Sequence, residues 1–361
     1  MNPAQQLHAD GQSLWLDSIS RRMLTSGTLR RYTEELAVTG LTSNPTILGH
    51  AMAASHDYND TLRRKVADGV SLPEDLVYAA AMEDLTAAAD LFRPVFEASE
   101  GRDGYVSLEV PPGLAYDAAA SIDMARGLHH EAGRPNLLVK IPGTPAGIGA
   151  METLIAEGIG INVTLLFSNI HYLQTAEAYL RALERRRAAG MSLDVPSVAS
   201  LFVSRWDKAA DALLPAELHG RLGIAIAQKV YASWRHLLDD ERWKALAAAG
   251  ARPQRVLWAS TSTKDPAFSD TYYVERLAAA DTINTMPEKT LLAYANHGQP
   301  GHLLEPDHGE AEACIATIEA AGVDVDALGE SLQRHGARAF EADWASLLEA
   351  IDAKATALRS G

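Results

Sequence analysis

The stretch NLLVKIP, residues 136–142, places a lysine at the end of an otherwise apolar run. Leu137, Leu138 and Val139 predict a short strand covered on both faces, because branched and apolar residues suit a buried pleated surface. Lys140 follows them directly. A lysine that leaves water costs free energy, so its position in this strand indicates a partner, a surface or a chemical role.

Seven further stretches have the same character, and they alternate along the chain with longer segments of helical periodicity. The eight candidate strands are 14–20, 40–44, 104–110, 136–142, 160–167, 197–204, 255–261 and 281–287. Two of the intervening helices are predicted to end at Gly133 and Gly190. Repeated βα units form parallel sheets, and eight of them fit a closed barrel. The pattern predicts an α/β fold, the (β/α)8 or TIM barrel, with an open doubly wound sheet as the alternative.

The chain is predicted to form a single (β/α)8 barrel domain over residues 1–361. Residues 45–103, between the second and third strands, are too long for one crossover helix and predict two or more helices. A helical extension covers about 300–361. We expect these extra C-terminal helices to pack over one end of the barrel.

Net charge, cysteine content and the length of apolar runs argue against several classes of function. The net charge is −15, which argues against a nucleic-acid-binding surface because phosphate backbones require a basic footprint. Cys314 is the only cysteine, so the chain has neither a disulfide framework nor a cysteine-based zinc site. The N-terminal stretch does not resemble a secretion signal, and no apolar run reaches the roughly 18 residues of a membrane span. We therefore expect a cytoplasmic protein that does not bind membranes.

In a βα barrel the functional residues lie at the carboxyl ends of the strands and in the loops that follow. Polar side chains occupy these positions in all eight candidate strands: Asp17, Asn44, Glu109, Lys140, Asn162 with Thr164, Ser200, Ser260 and Asn284. A purely structural strand would more often continue with apolar residues. The strand ends therefore predict one shared site.

Lys140 has two interpretations. It either reaches solvent or pairs with Glu109 or Asp17, or it attacks a carbonyl to form an imine. Its sequence neighbours are apolar, and apolar surroundings disfavour an ammonium group and leave more of the free amine. A protonated imine withdraws electrons from the adjacent carbon–carbon bond, which is the chemistry of aldol cleavage.

Glu109 and Thr164 are candidates for handling protons around the imine. A carboxyl at Glu109 can move protons during carbinolamine formation and dehydration, through a water held by the Thr164 hydroxyl; the alternative is a plain ion pair. Asp17 is placed to exchange the proton of a hydroxyl whose carbon becomes a carbonyl. The alternative for Asp17 is a cap on the following turn.

Two asparagines are candidates for substrate binding. Asn44 precedes Pro45, and Asn followed by Pro is typical of a helix start, so taken alone Asn44 predicts a helix cap. Asn162 and Thr164 alternate with Val163 and face the same side, where they need hydrogen-bond partners. A substrate with hydroxyls would supply them.

Phosphate recognition is predicted after the sixth and seventh strands, where barrels often bind phosphate. Arg205 offers a planar fork suited to phosphate oxygens, with an ion pair to Asp207 or to a glutamate in a neighbouring loop as the alternative. Four further candidates cluster in this region: Ser200, Ser260, Ser262 and Lys264.

Two rival signals are weak. GTPAGIG, residues 143–149, resembles a glycine-rich dinucleotide loop, but the next strand lacks the acidic residue that would hold a ribose. The twelve histidines show no metal-binding spacing such as H-E-x-x-H, so no metal site is indicated.

Six stretches in order, TGLTSNPTI, VSLEV, LLVKIPGTPAGIGA, GINVTLLFS, FVSRWD and WASTSTKDP, resemble transaldolase of the longer bacterial type. The resemblance runs from about Leu14 into the C-terminal helices. It implies a (β/α)8 barrel that moves a dihydroxyacetone unit from sedoheptulose 7-phosphate or fructose 6-phosphate to an aldose phosphate, in the pentose phosphate pathway. No cofactor is implied, sugar phosphates are the partners, and the oligomeric state is left open.

The resemblance also implies roles by motif position. Lys140 would form the Schiff base, Glu109 with Thr164 would hold the catalytic water, and Asp17 would be the acid/base. Asn44 and Asn162 would bind the dihydroxyacetone hydroxyls, and the phosphate would lie among Ser200, Arg205 and Ser260.

The chain departs from the shorter transaldolases at Ser262. Those proteins have an arginine at the corresponding position. We expect Lys264 to replace that charge. At positions 202 and 109 the chain resembles transaldolases, with Phe202 and Glu109. The related fructose-6-phosphate aldolases have tyrosine and glutamine at the corresponding positions. The open alternatives are an imine-forming aldolase that releases dihydroxyacetone without an acceptor, and a catalytically silent barrel that only binds sugar phosphates.

Overall fold

Parallel strands alternate with helices along the computed structural model of the chain, which describes residues 1–53, 55–301, 303–304 and 309–360. The strands are β1 Ser13–Leu16, β2 Val38–Thr42, β3 Val106–Glu109, β4 Leu137–Pro142, β5 Ile161–Leu166, β6 Ser197–Phe202, β7 Arg255–Ala259 and β8 Ile283–Met286. Each matches one predicted strand. β1 and β2 end before their predictions because the chain leaves the sheet after Leu16 and Thr42.

The eight strands close into a barrel in sequence order. Closure comes from the parallel pairing of β8 with β1, where Leu16 lies opposite Met286. This pairing confirms the predicted TIM barrel, because an open doubly wound sheet would leave both edge strands unpaired. The barrel register also sets Glu109 opposite Lys140, and Lys140 opposite Asn162.

The helices surround the barrel. They are α1 Pro3–Ala9, α2 Arg21–Thr25, α3 Thr28–Leu36, α4 Pro45–Ala53, α5 Asn59–Ala67, α6 Pro73–Ala98, α7 Ala118–Ala132, α8 Pro145–Glu157, α9 Asn169–Ala188, α10 Ser204–Ala210, α11 Leu222–Asp239, α12 Glu241–Ala247, α13 Tyr272–Arg276, α14 Glu288–His297, α15 Glu310–Ala320 and α16 Val325–Ser360. Short 3₁₀ turns lie at Pro112–Leu114, Asp211–Leu213 and Ala216–Leu218. Among the described residues, no helix combines the length and the apolar composition that crossing a membrane requires.

Local signals explain where these helices begin and end. α7 ends at Gly133, which adopts the left-handed conformation with φ 54°. α9 ends at Ala188, and Gly190 follows with φ 67°. The predicted helices between the second and third strands are α4, α5 and α6. Residue 54 of that stretch lies outside the described residues.

The C-terminal extension forms α15 and α16, while residues 302, 305–308 and 361 of the predicted extension lie outside the described residues. α16 crosses the carboxyl ends of the strands. Its Gln333 amide donates hydrogen bonds to the carbonyls of Gly143 and Leu165, at 2.9 and 3.1 Å. Its Lys354 ammonium donates to the carbonyls of Met52 and Ser55 at the end of α4. α16 therefore packs over the barrel end that carries the candidate site, whereas α15 packs against α11 on the outside of the barrel.

Candidate active site

A cavity of about 690 Å³ opens at the carboxyl ends of the strands. Nine of the twelve candidate side chains line it: Asp17, Asn44, Lys140, Thr164, Ser200, Arg205, Ser260, Ser262 and Lys264. Of the other three, Glu109 contacts Lys140 and Asn162 contacts Ser200, whereas Asn284 accepts a hydrogen bond from the Thr261 hydroxyl. The fold thus brings eleven of the twelve residues to one place.

Lys140 lies in the interior of the barrel mouth with only 5% of its side chain exposed. Its Nζ is 2.9 Å from Glu109 Oε2 and donates a hydrogen bond to the Ser43 carbonyl at 3.0 Å. The expectation of apolar surroundings is therefore wrong. Polar groups from β3 and from the loop after β2 reach the amine, although its sequence neighbours are apolar. A lysine amine can act as a nucleophile only after it gives up a proton, and the Glu109 carboxyl is in contact with Lys140 to receive one.

Glu109 is a buried carboxyl with one unused oxygen. Burial raises its pKa above the ordinary glutamate value, and the Lys140 ammonium opposes that rise. Oε1 has no hydrogen-bond partner within the described part of the chain, and neither does the buried Thr164 hydroxyl. A carboxyl with a raised pKa and an unused oxygen is suited to accept and return protons.

Asn162 and Thr164 differ in their partners. The Asn162 amide donates to Ser107 Oγ at 3.0 Å and accepts from Ser200 Oγ at 2.7 Å. Neighbouring strands therefore supply the partners that Asn162 needs, and its binding of a substrate stays a prediction. Thr164 lies next to a register shift in β5, where Leu165 has φ 58°, and its hydroxyl lines the cavity. Thr164 remains open to a ligand or water.

Asp17 lies in the loop after β1 and accepts a hydrogen bond from Thr42 Oγ1 at 2.7 Å. Burial raises its pKa, and the positive charge of Lys140 is the largest opposing influence. The alternative, a cap on the following turn, is wrong, because no described backbone N–H donates to the Asp17 carboxylate, and the helix cap that follows is Ser20, which accepts from the Met23 backbone. Asp17 is left facing the cavity beside Lys140.

Asn44 has the capping role predicted from Asn-Pro. Its Oδ1 accepts a hydrogen bond from the Ile47 backbone at 3.0 Å, and Pro45 begins α4. The same side chain lines the cavity. Helix capping fixes its orientation and leaves substrate binding as a prediction.

Arg205 does not form the predicted alternative ion pair with Asp207. Asp207 accepts hydrogen bonds from the Gly223 backbone and the Tyr273 hydroxyl instead. Arg205 makes no salt bridge to any other described residue, and its guanidinium lies 5.0 Å from the Phe202 ring centre. Burial lowers its pKa. A half-buried cation without a salt bridge favours binding of an anion.

The other four predicted phosphate ligands, Ser200, Ser260, Ser262 and Lys264, line the same cavity as Arg205. The Ser200 hydroxyl donates to Asn162, and the Ser260 hydroxyl lies 2.9 Å from Ser204 Oγ, with the Ser260 backbone at φ 57°. Lys264 is exposed and donates to Ser262 Oγ at 2.7 Å. Partial burial lowers the pKa of Lys264, and the positive charges of Lys208 and Arg205 lower it further. These cations repel one another, so an anion among them would be stabilised.

Two functional neighbours were missed from the sequence. Phe340 on α16 lines the cavity, and its ring centre is 5.9 Å from Lys140 Nζ. The Ser43 carbonyl binds Lys140. In the sequence, Phe340 belongs to the apolar face of a predicted helix. No strand end or motif marks it as a site residue.

Two of the three glycines of GTPAGIG, Gly143 and Gly147, allow close local packing, whereas a Cβ on Gly149 would meet no neighbouring atom. Thr144 caps α8 and Pro145 is its first residue. A Cβ on Gly147 would lie 1.8 Å from the Pro142 carbonyl oxygen, so only glycine lets the helix approach the strand. The structure therefore explains this motif without a dinucleotide.

One cluster of possible metal ligands occurs in the described part of the chain, at Asp211, His219 and Asp265, outside the cavity lining. Asp211 accepts hydrogen bonds from the Gly220 backbone, and His219 Nε2 contacts the Leu214 carbonyl at 2.9 Å. These contacts hold the local loops.

Comparison with known proteins gives a consistent match. The sequence model of the transaldolase/fructose-6-phosphate aldolase family matches residues 14–351. A protein of Thiobacillus denitrificans named transaldolase is 45% identical, with 97% of this chain and all of that protein covered. A transaldolase of Frankia alni is 44% identical, covering 97% and 96% of the two chains. A protein of a Nostoc species named transaldolase 2 is 39% identical over 98% of each chain.

Proposed function

The chain belongs to the transaldolase/fructose-6-phosphate aldolase family and is an enzyme, a transferase, and we propose that it transfers dihydroxyacetone through an imine on Lys140. The donors are sedoheptulose 7-phosphate and fructose 6-phosphate. The acceptors are glyceraldehyde 3-phosphate and erythrose 4-phosphate. The observation that carries the proposal is the contact between Lys140 and Glu109 at the cavity, close to cations that suit a phosphate.

The first step is imine formation. Glu109 takes a proton from Lys140, and the free amine attacks the donor carbonyl at C2 to give a carbinolamine. The carbinolamine loses water to form the protonated imine, with Glu109 returning the proton to the departing hydroxyl. The unpartnered Thr164 hydroxyl and Glu109 Oε1 are suited to hold that water.

The second step breaks the bond between C3 and C4. Asp17 takes the proton of the C4 hydroxyl, C4 becomes the carbonyl carbon of the leaving aldose phosphate, and the bonding electrons form an enamine on Lys140. An acceptor aldehyde then reverses these steps, and Asp17 returns the proton to the new hydroxyl. The raised pKa of Asp17 suits both directions of transfer.

Further side chains would bind the substrate and position it for these steps. Asn44 and Asn162 would hold the dihydroxyacetone hydroxyls, and for Asn162 this requires exchange of its bond to Ser107 or Ser200. Ser200, Arg205, Ser260 and Lys264 would hold the phosphate. The chemistry needs no cofactor, and we assign it to the non-oxidative pentose phosphate pathway in the cytoplasm.

The test is acceptor dependence. Purified protein is incubated with fructose 6-phosphate, and release of glyceraldehyde 3-phosphate is followed with and without erythrose 4-phosphate. The proposal predicts sustained turnover only with the acceptor. Equal turnover without it would instead identify an aldolase, and no turnover with bound sugar phosphate would identify a silent binding barrel.

A further inference from the structure

One face of α16 lies against the mouth of the barrel near Arg205. Gln333 fastens this face by hydrogen bonds to the carbonyls of Gly143 and Leu165. Gly336 lies about one turn later and Phe340 another turn later, so the three residues share a side of the helix. Phe340 is 4% exposed. The hydrogen bonds of Gln333 therefore fix the position of α16 and, with it, the position of the Phe340 ring.

Arg205 fits between this face and β6. Its guanidinium carbon is 5.0 Å from the Phe202 ring centre and 5.8 Å from the Phe340 ring centre. Gly336 provides room, because a Cβ there would lie 3.2 Å from Arg205 Nη1. Two rings and a glycine thus define the space that the guanidinium occupies.

Aromatic contact leaves the hydrogen-bonding capacity of an arginine free. A guanidinium that packs on a ring keeps its N–H groups at its edge available to a phosphate. A salt bridge would instead use those donors. The carboxylate whose charge most favours the Arg205 cation belongs to Asp343, which accepts a hydrogen bond from Thr46. The rings therefore replace a carboxylate as the feature that orients Arg205.

We propose that Phe340 is a positioning residue that selects phosphorylated sugars by holding the Arg205 guanidinium toward the phosphate. This inference rests on the proposed function and adds to it a determinant of specificity outside the barrel strands. Phe340 also lies 5.9 Å from Lys140 Nζ. The competing explanation is that the ring only shields the amine from water, and the experiment separates the two.

The experiment compares erythrose 4-phosphate with erythrose as acceptors, using fructose 6-phosphate as donor. In a ping-pong reaction, kcat/KM for the acceptor does not depend on the donor concentration. Phe340→Ala should lower the ratio of the two kcat/KM values by about three- to thirtyfold, the range of a partly desolvated cation–π contact. The value for erythrose should fall much less, because erythrose carries no phosphate for Arg205 to bind. Phe340→Tyr should restore the ratio, whereas Phe340→Leu should not.

A double-mutant cycle tests the route through Arg205. In an Arg205→Ala background, Phe340→Ala should produce no further fall in the ratio. Leu347→Ala is the matched control, because Leu347 is a buried residue of α16 that packs near Gly49 of α4. It should leave the ratio unchanged.

Three results would overturn the inference. They are an unchanged ratio in Phe340→Ala, an equal loss with both acceptors, and a full effect of Phe340→Ala in the Arg205→Ala background. Increased release of product without acceptor, at an unchanged ratio, would assign Phe340 to shielding of the amine. Failure of the proposed function is distinguishable, because the unsubstituted protein would then lack acceptor-dependent turnover.

Discussion

Lys140 and Glu109 face each other across adjacent strands as a buried pair, with 2.9 Å between Nζ and Oε2. Their side chains are 5% and 3% exposed. Removing two charges from water costs several kcal/mol per ion in proteins, and only close geometry offsets that cost. The register of β3 and β4 supplies this geometry. The same contact gives the proposed nucleophile an immediate proton acceptor.

Replacement of Glu109 by Gln should slow imine formation and hydrolysis by about a hundredfold or more, the usual contribution of a positioned acid/base. The amide keeps the shape of the carboxyl but cannot accept the Lys140 proton. Quenched single-turnover experiments with fructose 6-phosphate measure the rate. Glu217→Gln, at an exposed position, is the control. An unchanged rate in the Glu109 variant would restrict Glu109 to an ion pair.

Replacement of Asp17 by Asn should separate imine formation from bond cleavage. The variant keeps Lys140 and Glu109, so it should still form the imine with fructose 6-phosphate, but nothing would accept the C4 hydroxyl proton. Borohydride reduction followed by mass spectrometry should then show the whole donor attached to Lys140. A dihydroxyacetone adduct at the normal rate would assign the proton transfer to another group.

Replacement of Lys264 by Gln should raise KM for phosphorylated donors with little change in kcat. Lys264 is exposed and its only hydrogen bond to a described side chain is to Ser262, so it is available to a phosphate as a charge. An exposed charge pair is screened by salt, and the difference from the unsubstituted protein should shrink as ionic strength rises. Steady-state kinetics in low and high salt give the measurement. A constant KM would mean that Lys264 does not replace the arginine of shorter relatives.

Asp207 should make the free energy of unfolding depend on pH. Burial raises its pKa from about 3.8 to about 6. Because the folded value is the higher one, the contribution of Asp207 is present below the unfolded pKa and is lost as pH rises through about 6. From pH about 5 to about 8, the free energy of unfolding of the unsubstituted protein should fall by about 1–2 kcal/mol more than that of Asp207→Asn.

Urea unfolding at the two pH values measures this difference. Asp57→Asn is the control, since Asp57 is exposed. Parallel pH dependence in all three proteins would show that the Asp207 carboxyl does not titrate as its buried position requires.

The sequence predicted the barrel because the strand signals are local. Apolar runs such as Leu137–Val139 form strands wherever a parallel sheet can bury both faces. The left-handed glycine at Gly133 ends a helix by its own conformational freedom. Strand ends in parallel register lie at one face of a barrel, so the shared location of Asp17, Lys140 and Ser200 was also predictable.

Contacts between distant segments were not predictable. A pair with Glu109 was one of the alternatives open for Lys140, but nothing in the sequence indicated that the Ser43 carbonyl would accept a hydrogen bond from the same amine. Arg205 and Asp207 are close in sequence, but residues at i and i+2 of a helix do not face each other. Phe340 reaches the cavity only because α16 crosses the barrel mouth. Helical periodicity predicts which face of a helix is buried but not which surface that face packs against.

The most direct test of the account is borohydride trapping with fructose 6-phosphate, followed by digestion and mass spectrometry. The account predicts a reduced dihydroxyacetone adduct on Lys140, and no adduct in Lys140→Met, which should remain folded because methionine suits a buried strand position. Lys244→Met, at an exposed position on α12, should behave as the unsubstituted protein. Absence of an adduct in folded protein that binds the sugar, or an adduct on another lysine, would contradict the account.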